Sequence, residues 1–187
     1  MDTEILEKLQ RVSVVGTSCS GKTTFAKNLS QILQVKHIEL DALYWLPDWV
    51  ERPNEEFLEL VRAAAVEENW VLDGNYTRAR EIFWKRATVI IWLNYSFPRT
   101  YYRALSRTIS RAWTGEEMWS GNRETFRQSF LSRDSILLWV LTSYFNKRRR
   151  YSKILTDEKL KDKKVVIFRH PKQAENFLQQ IKEVRNS

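Results

Sequence analysis

Gly16-Thr17-Ser18-Cys19-Ser20-Gly21-Lys22-Thr23-Thr24 reads G-x-x-x-x-G-K-T-T. The run before it, Arg11-Val12-Ser13-Val14-Val15, is short and β-branched, which suits a buried strand. The run after it, Lys22 to Leu33, carries Phe25, Leu29, Ile32 and Leu33 at helical spacing. A motif of this kind between a strand and a helix is a P-loop, or Walker A motif. Loop N–H groups and the helix N-terminus converge on one point, where the helix dipole favours negative charge. Gly16 and Gly21 permit backbone angles and close approaches that a Cβ would block. Thr17, Ser18, Cys19, Ser20 and Thr24 complete the cradle. Lys22 can reach the β- and γ-phosphates of a nucleotide, and the Thr23 hydroxyl can ligate Mg²⁺.

The 187 residues suffice for one domain with a full core. A hydrophobic content of 43% with 29% charged residues is that of a soluble globular chain and argues against a disordered one. The net charge of +8 points to anionic partners: nucleotides, nucleic acid or acidic surfaces. Cys19 is the single cysteine, which excludes an intramolecular disulfide; without a signal peptide, a cytoplasmic protein is expected. The longest apolar run, Ile136 to Leu141, is too short to span a bilayer, so no membrane partner is expected. Oligomeric state leaves no trace in the pattern.

Outward from the P-loop, apolar and turn signals predict a short leading helix within Met1–Gln10 and a second strand over His37–Leu40 ending at Asp41. An aromatic loop over Ala42–Arg52 and a helix after Pro53 follow. A strand at Trp70–Leu72 runs into Asp73-Gly74-Asn75-Tyr76, then a short helix over Arg78–Arg86 and an apolar strand over Ala87–Leu93. Pro98 opens a long helix to about Trp113, broken at Thr114-Gly115. Further helices are expected over Glu124–Arg133 and Ser135–Arg150, a last strand over Lys164–Phe168, and a terminal helix from Pro171 to about Val184. Strands alternating with helices mean an α/β three-layer fold with a parallel sheet. Ligands then gather beyond the strands' carboxyl ends, among the loops starting at Gly16, Asp41, Asp73, Asn94 and Arg169.

Val14-Val15-Gly16 through Thr24, Leu40-Asp41-Ala42-Leu43-Tyr44-Trp45 and Trp70-Val71-Leu72-Asp73-Gly74-Asn75-Tyr76 together resemble the adenylate-kinase-like P-loop nucleoside and nucleotide kinases. More closely, they resemble the bacterial DNA topology modulation (FlaR-like) proteins. The resemblance implies a P-loop NTPase fold whose five-stranded parallel sheet has the order 2-3-1-4-5. It also implies ATP with Mg²⁺ and a mobile lid. A single kinase-like domain is expected, with a core of residues 11–98 and 151–187 and a helical lid over about 99–150. Nucleoside monophosphate kinases carry D-G-[FY]-P-R after strand three; here Asp73-Gly74-Asn75-Tyr76-Thr77-Arg78 lacks the proline and places the arginine one residue later. The lid region also lacks the cysteine quartet with which some relatives bind zinc.

Asp41, at the end of strand two, can orient or deprotonate an acceptor hydroxyl, work that an acid there does in related small-molecule kinases; a turn or helix cap is the plainer role. Glu39, two residues earlier, is the alternative acid. Asp73 ends a strand expected beside strand one, where a carboxylate joins the Mg²⁺ shell through water; a turn-forming Asp-Gly is the competing explanation. Asn75, Tyr76 and Arg78 follow as acceptor contacts. Arg103, Arg107 and Arg111 share a helix face by their i, i+4, i+8 spacing. Arg107 and Arg111 are the expected catalytic pair for the charge that builds in phosphoryl transfer, and Leu105, Ile109 and Trp113 should pack inward. Arg123 and Arg127 repeat the spacing beyond the break. Lys147-Arg148-Arg149-Arg150 is a basic run at a helix C-terminus, explained by the dipole or by lid or nucleic-acid contact. Arg169 falls where relatives place the adenine-side loop. His37 and His170 lack metal-ligand spacing and read as structural or solvated. Tyr44, Trp45, Trp49 and Trp70 are expected to cluster around the second substrate, or simply to pack a long loop.

The function expected from these residues is an ATP-dependent kinase of a small acceptor, such as a nucleoside, nucleotide or related metabolite. A nucleotide-switched nucleic-acid-binding regulator and an NTPase without an acceptor are the alternatives.

Overall fold

The computed structural model describes residues 3–123 and 136–186. The expected helix over 124–133, with Arg127, lies outside the described residues. After a short α1 (Thr3–Glu7), the chain alternates β1 (Arg11–Gly16), α2 (Lys22–Leu33), β2 (Lys36–Glu39), α3 (Leu40–Tyr44) and α4 (Asn54–Ala65). It continues through β3 (Trp70–Asp73), α5 (Arg80–Arg86), β4 (Val89–Leu93), α6 (Phe97–Thr114), α7 (Ile136–Ile154), β5 (Lys164–Phe168) and α8 (Pro171–Asn186).

The strands form one five-stranded sheet in the order β2-β3-β1-β4-β5, every pair parallel. A parallel sheet buries both faces, and the alternation of side chains divides each strand between two apolar layers. Val89, Ile91 and Leu93 of β4 join Val12 and Val14 against Phe25 and Leu29 of α2 and Phe177 and Ile181 of α8. Ile90 and Trp92 face the other way, with Leu72 and Ile38, against Phe57 of α4, Phe83 and Trp84 of α5, and Tyr151 of α7.

Several expectations are corrected. The aromatic stretch after β2 begins as the helical turns of α3, so Asp41 sits in a first helical turn, where an acid suits the dipole. Trp70 is fully buried in the core at the amino end of β3 and takes no part in an aromatic cluster around a substrate. On α6 the buried row is Thr100, Ala104 and Thr108, whereas Ile109 and Trp113 are exposed. Small side chains at i, i+4 and i+8 carry no strong apolar signal, yet they are what faces inward. Finally, α7 runs a turn past Arg150 to Ile154, so the basic run lies within the helix body rather than at its end.

Gly74 follows β3 with φ +144°, and a Cβ there would come within 2.6 Å of Leu40 Cβ. Gly74→Ala is therefore expected to cost about 1–3 kcal/mol through strain and overpacking. A urea unfolding midpoint lowered accordingly checks this.

Candidate active site

The P-loop closes around the carboxyl end of β1. At Gly16 a Cβ would meet Ser20 Oγ at 2.7 Å and the Leu93 carbonyl oxygen at 2.9 Å, so no side chain fits. Gly21 is the N-cap of α2 with φ 88°, and Cys19 also takes a left-handed backbone, with φ 62°. The first turn of α2 holds no acidic residue and receives no side-chain cap. Such a helix start, with no acidic residue or cap of its own, suits an anion. Ser18, Cys19, Ser20, Gly21, Lys22, Thr23 and Thr24 line a cavity of about 1760 Å³. Gly16 and the buried Thr17 lie beneath it, and Ser20 Oγ is buried without a hydrogen-bond partner. Among the described residues Lys22 Nζ makes only a long contact, 3.5 Å to the Thr17 carbonyl.

Asp73 is 1% exposed at the end of β3. Thr23 donates its hydroxyl to Asp73 Oδ2 at 2.8 Å, and His37 Nε2 lies 2.8 Å from Oδ1. This joins the two expected metal residues in one contact and adds His37, which no motif announced. The only signal for His37 is the parallel pairing of β2 with β3, which brings Glu39 opposite Asp73. No group of three or more metal-ligating side chains occurs among the described residues. One hydroxyl and one carboxylate suit Mg²⁺, a hard cation that keeps several waters and shares its shell with phosphate oxygens.

Across the cavity, Asp41 Oδ1 accepts a 2.6 Å hydrogen bond from the Tyr76 hydroxyl. Burial first, and then the Asp41 charge, hold the Tyr76 phenol far above its ordinary pKa, so it remains a donor. Glu39 also lines the cavity; burial pushes its carboxyl upward, with the Asp73 and Asp41 charges adding to the rise and a hydrogen bond with Trp119 opposing it. Arg78 donates to the Tyr44 hydroxyl at 2.8 Å and lies over the Tyr44 ring. Asn75 acts as a clamp: Nδ2 donates to the Gly16 carbonyl at 2.6 Å, and Oδ1 accepts from Tyr151 of α7 at 2.9 Å.

The arginine face of α6 turns toward the cavity. Arg103 donates to the Ser20 carbonyl at 3.0 Å, which fastens α6 to the P-loop. Arg107 and Arg111 line the same space; Arg107 Nε is buried without a hydrogen bond, and Arg111 faces Glu116 at 3.5 Å. Arg123 pairs instead with Glu117 on the rim. Arg169 is exposed after β5 and is not among the lining residues, whereas Pro171, Ala174 and Glu175 of α8 are. His170 is likewise exposed.

At the far end stand three indoles, Trp45, Trp49 and Trp119, in successive edge-to-face contacts. Asn122, almost fully buried, accepts from the Trp49 N–H and donates to the Leu46 and Trp119 carbonyls. It ties residues 115–123 to the turn at Pro47–Trp49. Ser120 adds a bond to the Trp45 carbonyl.

No protein-family model matches the chain, and no curated protein matches it. Solved structures do. A shikimate kinase from Acinetobacter baumannii, in complex with shikimate, aligns with a TM-score of 0.58 at 14% identity over 97% of this chain and 96% of that one. A shikimate kinase from Bacteroides thetaiotaomicron gives 0.54 at 17% identity over 95% and 99%. A gluconokinase from Sinorhizobium meliloti 1021 gives 0.52 at 16% over 96% and 97%. The chain has the P-loop fold of these kinases.

Proposed function

We propose that the protein is an ATP- and Mg²⁺-dependent phosphotransferase that acts on a hydroxyl or phosphate group of a small acceptor. The observation that carries this reading is the Thr23–Asp73 hydrogen bond at the foot of an uncapped helix, with Asp41 facing the same cavity. The similar shikimate kinases and gluconokinase support it as proteins of the same fold.

On this reading the loop from Gly16 to Thr24 and Lys22 bind the triphosphate, while Thr23 and, through water, Asp73 hold Mg²⁺. The metal would supply charge neutralisation on the phosphate oxygens. Asp41, held by Tyr76, orients the acceptor hydroxyl and takes its proton. Arg107 and Arg111 balance the negative charge that spreads over the transferring group. Residues 11–98 and 151–187 serve as the core, and about 99–150, with α6 and much of α7, as the lid that excludes water. Arg169 remains a candidate for the base end, beside the α8 residues that line the cavity. The adenylate-kinase-like kinship, which rests on residues 14–24, 40–45 and 70–76, belongs to the same proposal, as does a cytoplasmic location; no helix among the described residues is long and apolar enough to cross a membrane.

Purified protein with MgATP, screened against hydroxylated carboxylic acids, sugars, nucleosides and nucleoside monophosphates, is expected to release ADP in an acceptor-dependent manner. ADP release without any acceptor dependence would favour the simple NTPase. Absence of both ATP binding and ATP consumption would overturn the proposal.

A second reading is a nucleic-acid-binding regulator of the DNA topology modulation kind. It is favoured by the +8 charge and by exposed Arg148 and Arg149. Lys147 and Arg150 from the same run line the cavity, however, where a nucleotide would use them. Duplex binding that weakens steeply with salt would support this second reading.

A further inference from the structure

α7 delivers a second ammonium group to the P-loop. Tyr144, Lys147 and Tyr151 stand on one face of that helix by their spacing. The two tyrosines are pinned: Tyr144 donates to the Tyr95 carbonyl at 2.6 Å, and Tyr151 donates to Asn75 at 2.9 Å. Between these anchors Lys147 Nζ reaches to 3.5 Å from Ser18 Oγ and sits 4.8 Å from the centre of the Trp139 ring. Among the described residues no carboxylate lies within ion-pair distance of it. Its neighbours are Lys22 and Cys19 from the P-loop and Asp41 from α3, with Arg103 and Arg107 of α6 lining the same cavity.

Two ammonium groups turned toward one P-loop repel each other, and the ring of the half-exposed Trp139 offers only partial compensation. Backbone donors, Lys22 and Lys147 converging on one cavity are balanced when a polyanion lies among them. Lysine suits this task as a compact point charge on a flexible stem whose pKa shifts readily on burial.

We propose that Lys147 is a second phosphate-binding lysine of this site, brought to the P-loop by α7. The proposal rests on the phosphotransferase reading and names a residue within that site.

Burial first, and then the Lys22 charge, lower the Lys147 pKa to about 8; Asp41 and Cys19 act in the opposite sense. A bound triphosphate favours the charged form and raises the pKa. At pH 6.5 Lys147 is already protonated and binding takes up almost nothing. At pH 9 most molecules are neutral before binding and charged after it, so uptake approaches one proton per nucleotide.

Isothermal titration of the full chain with MgATP, in pairs of buffers that differ in ionisation enthalpy, reads this proton count. Wild-type protein is expected to take up about 0.5–1 proton at pH 9 and nearly none at pH 6.5. Lys147→Arg, permanently charged, should bind MgATP at pH 9 without uptake, which separates Lys147 from Cys19 and Lys22. Lys147→Met should weaken MgATP about 10–100-fold at pH 6.5 while leaving adenosine binding within twofold; that range is what loss of a charge-assisted phosphate contact gives. Uptake that persists in Lys147→Arg, or unchanged MgATP affinity in Lys147→Met, would overturn the assignment and leave the phosphotransferase reading standing. Failure of wild-type protein to bind MgATP at all would overturn both. Should Lys147→Met fail to fold, the arginine variant decides the question alone.

Discussion

Lys22→Met is expected to lower ATP turnover by about 10²–10³-fold, the loss that follows removal of one preorganised charge stabiliser, while leaving the fold intact. The ammonium has no structural task that the substitution would remove. Among the described residues its only polar contact is the long one to the Thr17 carbonyl, and the loop shape is set by Gly16, Gly21 and the Asn75 clamp. Methionine keeps the length and apolar stem of the side chain. Steady-state turnover measured beside a thermal melt separates the two effects. Wild-type turnover in a folded variant would mean that the cradle does not work on phosphates.

Asp41→Asn is the second large effect, a fall in kcat of about 10²–10⁴-fold, the range ascribed to general-base catalysis. The amide oxygen can still accept the Tyr76 hydroxyl bond, so position is kept while charge and basicity are lost. KM for the acceptor identified in the screen should change far less than kcat. Tyr76→Phe leaves the carboxylate but frees its orientation and should cost less than the Asp41 change. A variant Asp41→Asn with normal kcat would shift the assignment to Glu39, the other acid of that wall, whose carboxyl burial holds above its ordinary range, the direction that suits a general base.

The strand, loop and helix from Arg11 to Leu33 were legible nearly to the residue, because β-branched runs, paired glycines and a helical apolar period each report on local backbone. The strand order followed from the resemblance and is the observed one. What periodicity could not supply was the facing of α6. An arginine stripe and an apolar stripe compete on that helix, and the buried row of Thr100, Ala104 and Thr108 is neither. The Thr23–Asp73 contact was half legible: each residue stood out alone, and their meeting depends on β3 lying beside β1. His37 was read only as structural or solvated and Lys147 only as part of a basic run, because their partners come from a neighbouring strand and from a loop more than a hundred residues away, and no short window contains both members of either contact. Trp70 misled for the same reason: its proximity in sequence to Asp73 conceals that the two stand at opposite ends of a strand.

Asn122 has a mechanical corollary. Its side-chain amide is bonded to both flaps at the indole end of the cavity, so neither flap can swing alone without breaking that buried amide's hydrogen bonds. A doorway at that end therefore has one leaf and not two. Opening that end would thus break bonds between two segments some seventy residues apart in the chain.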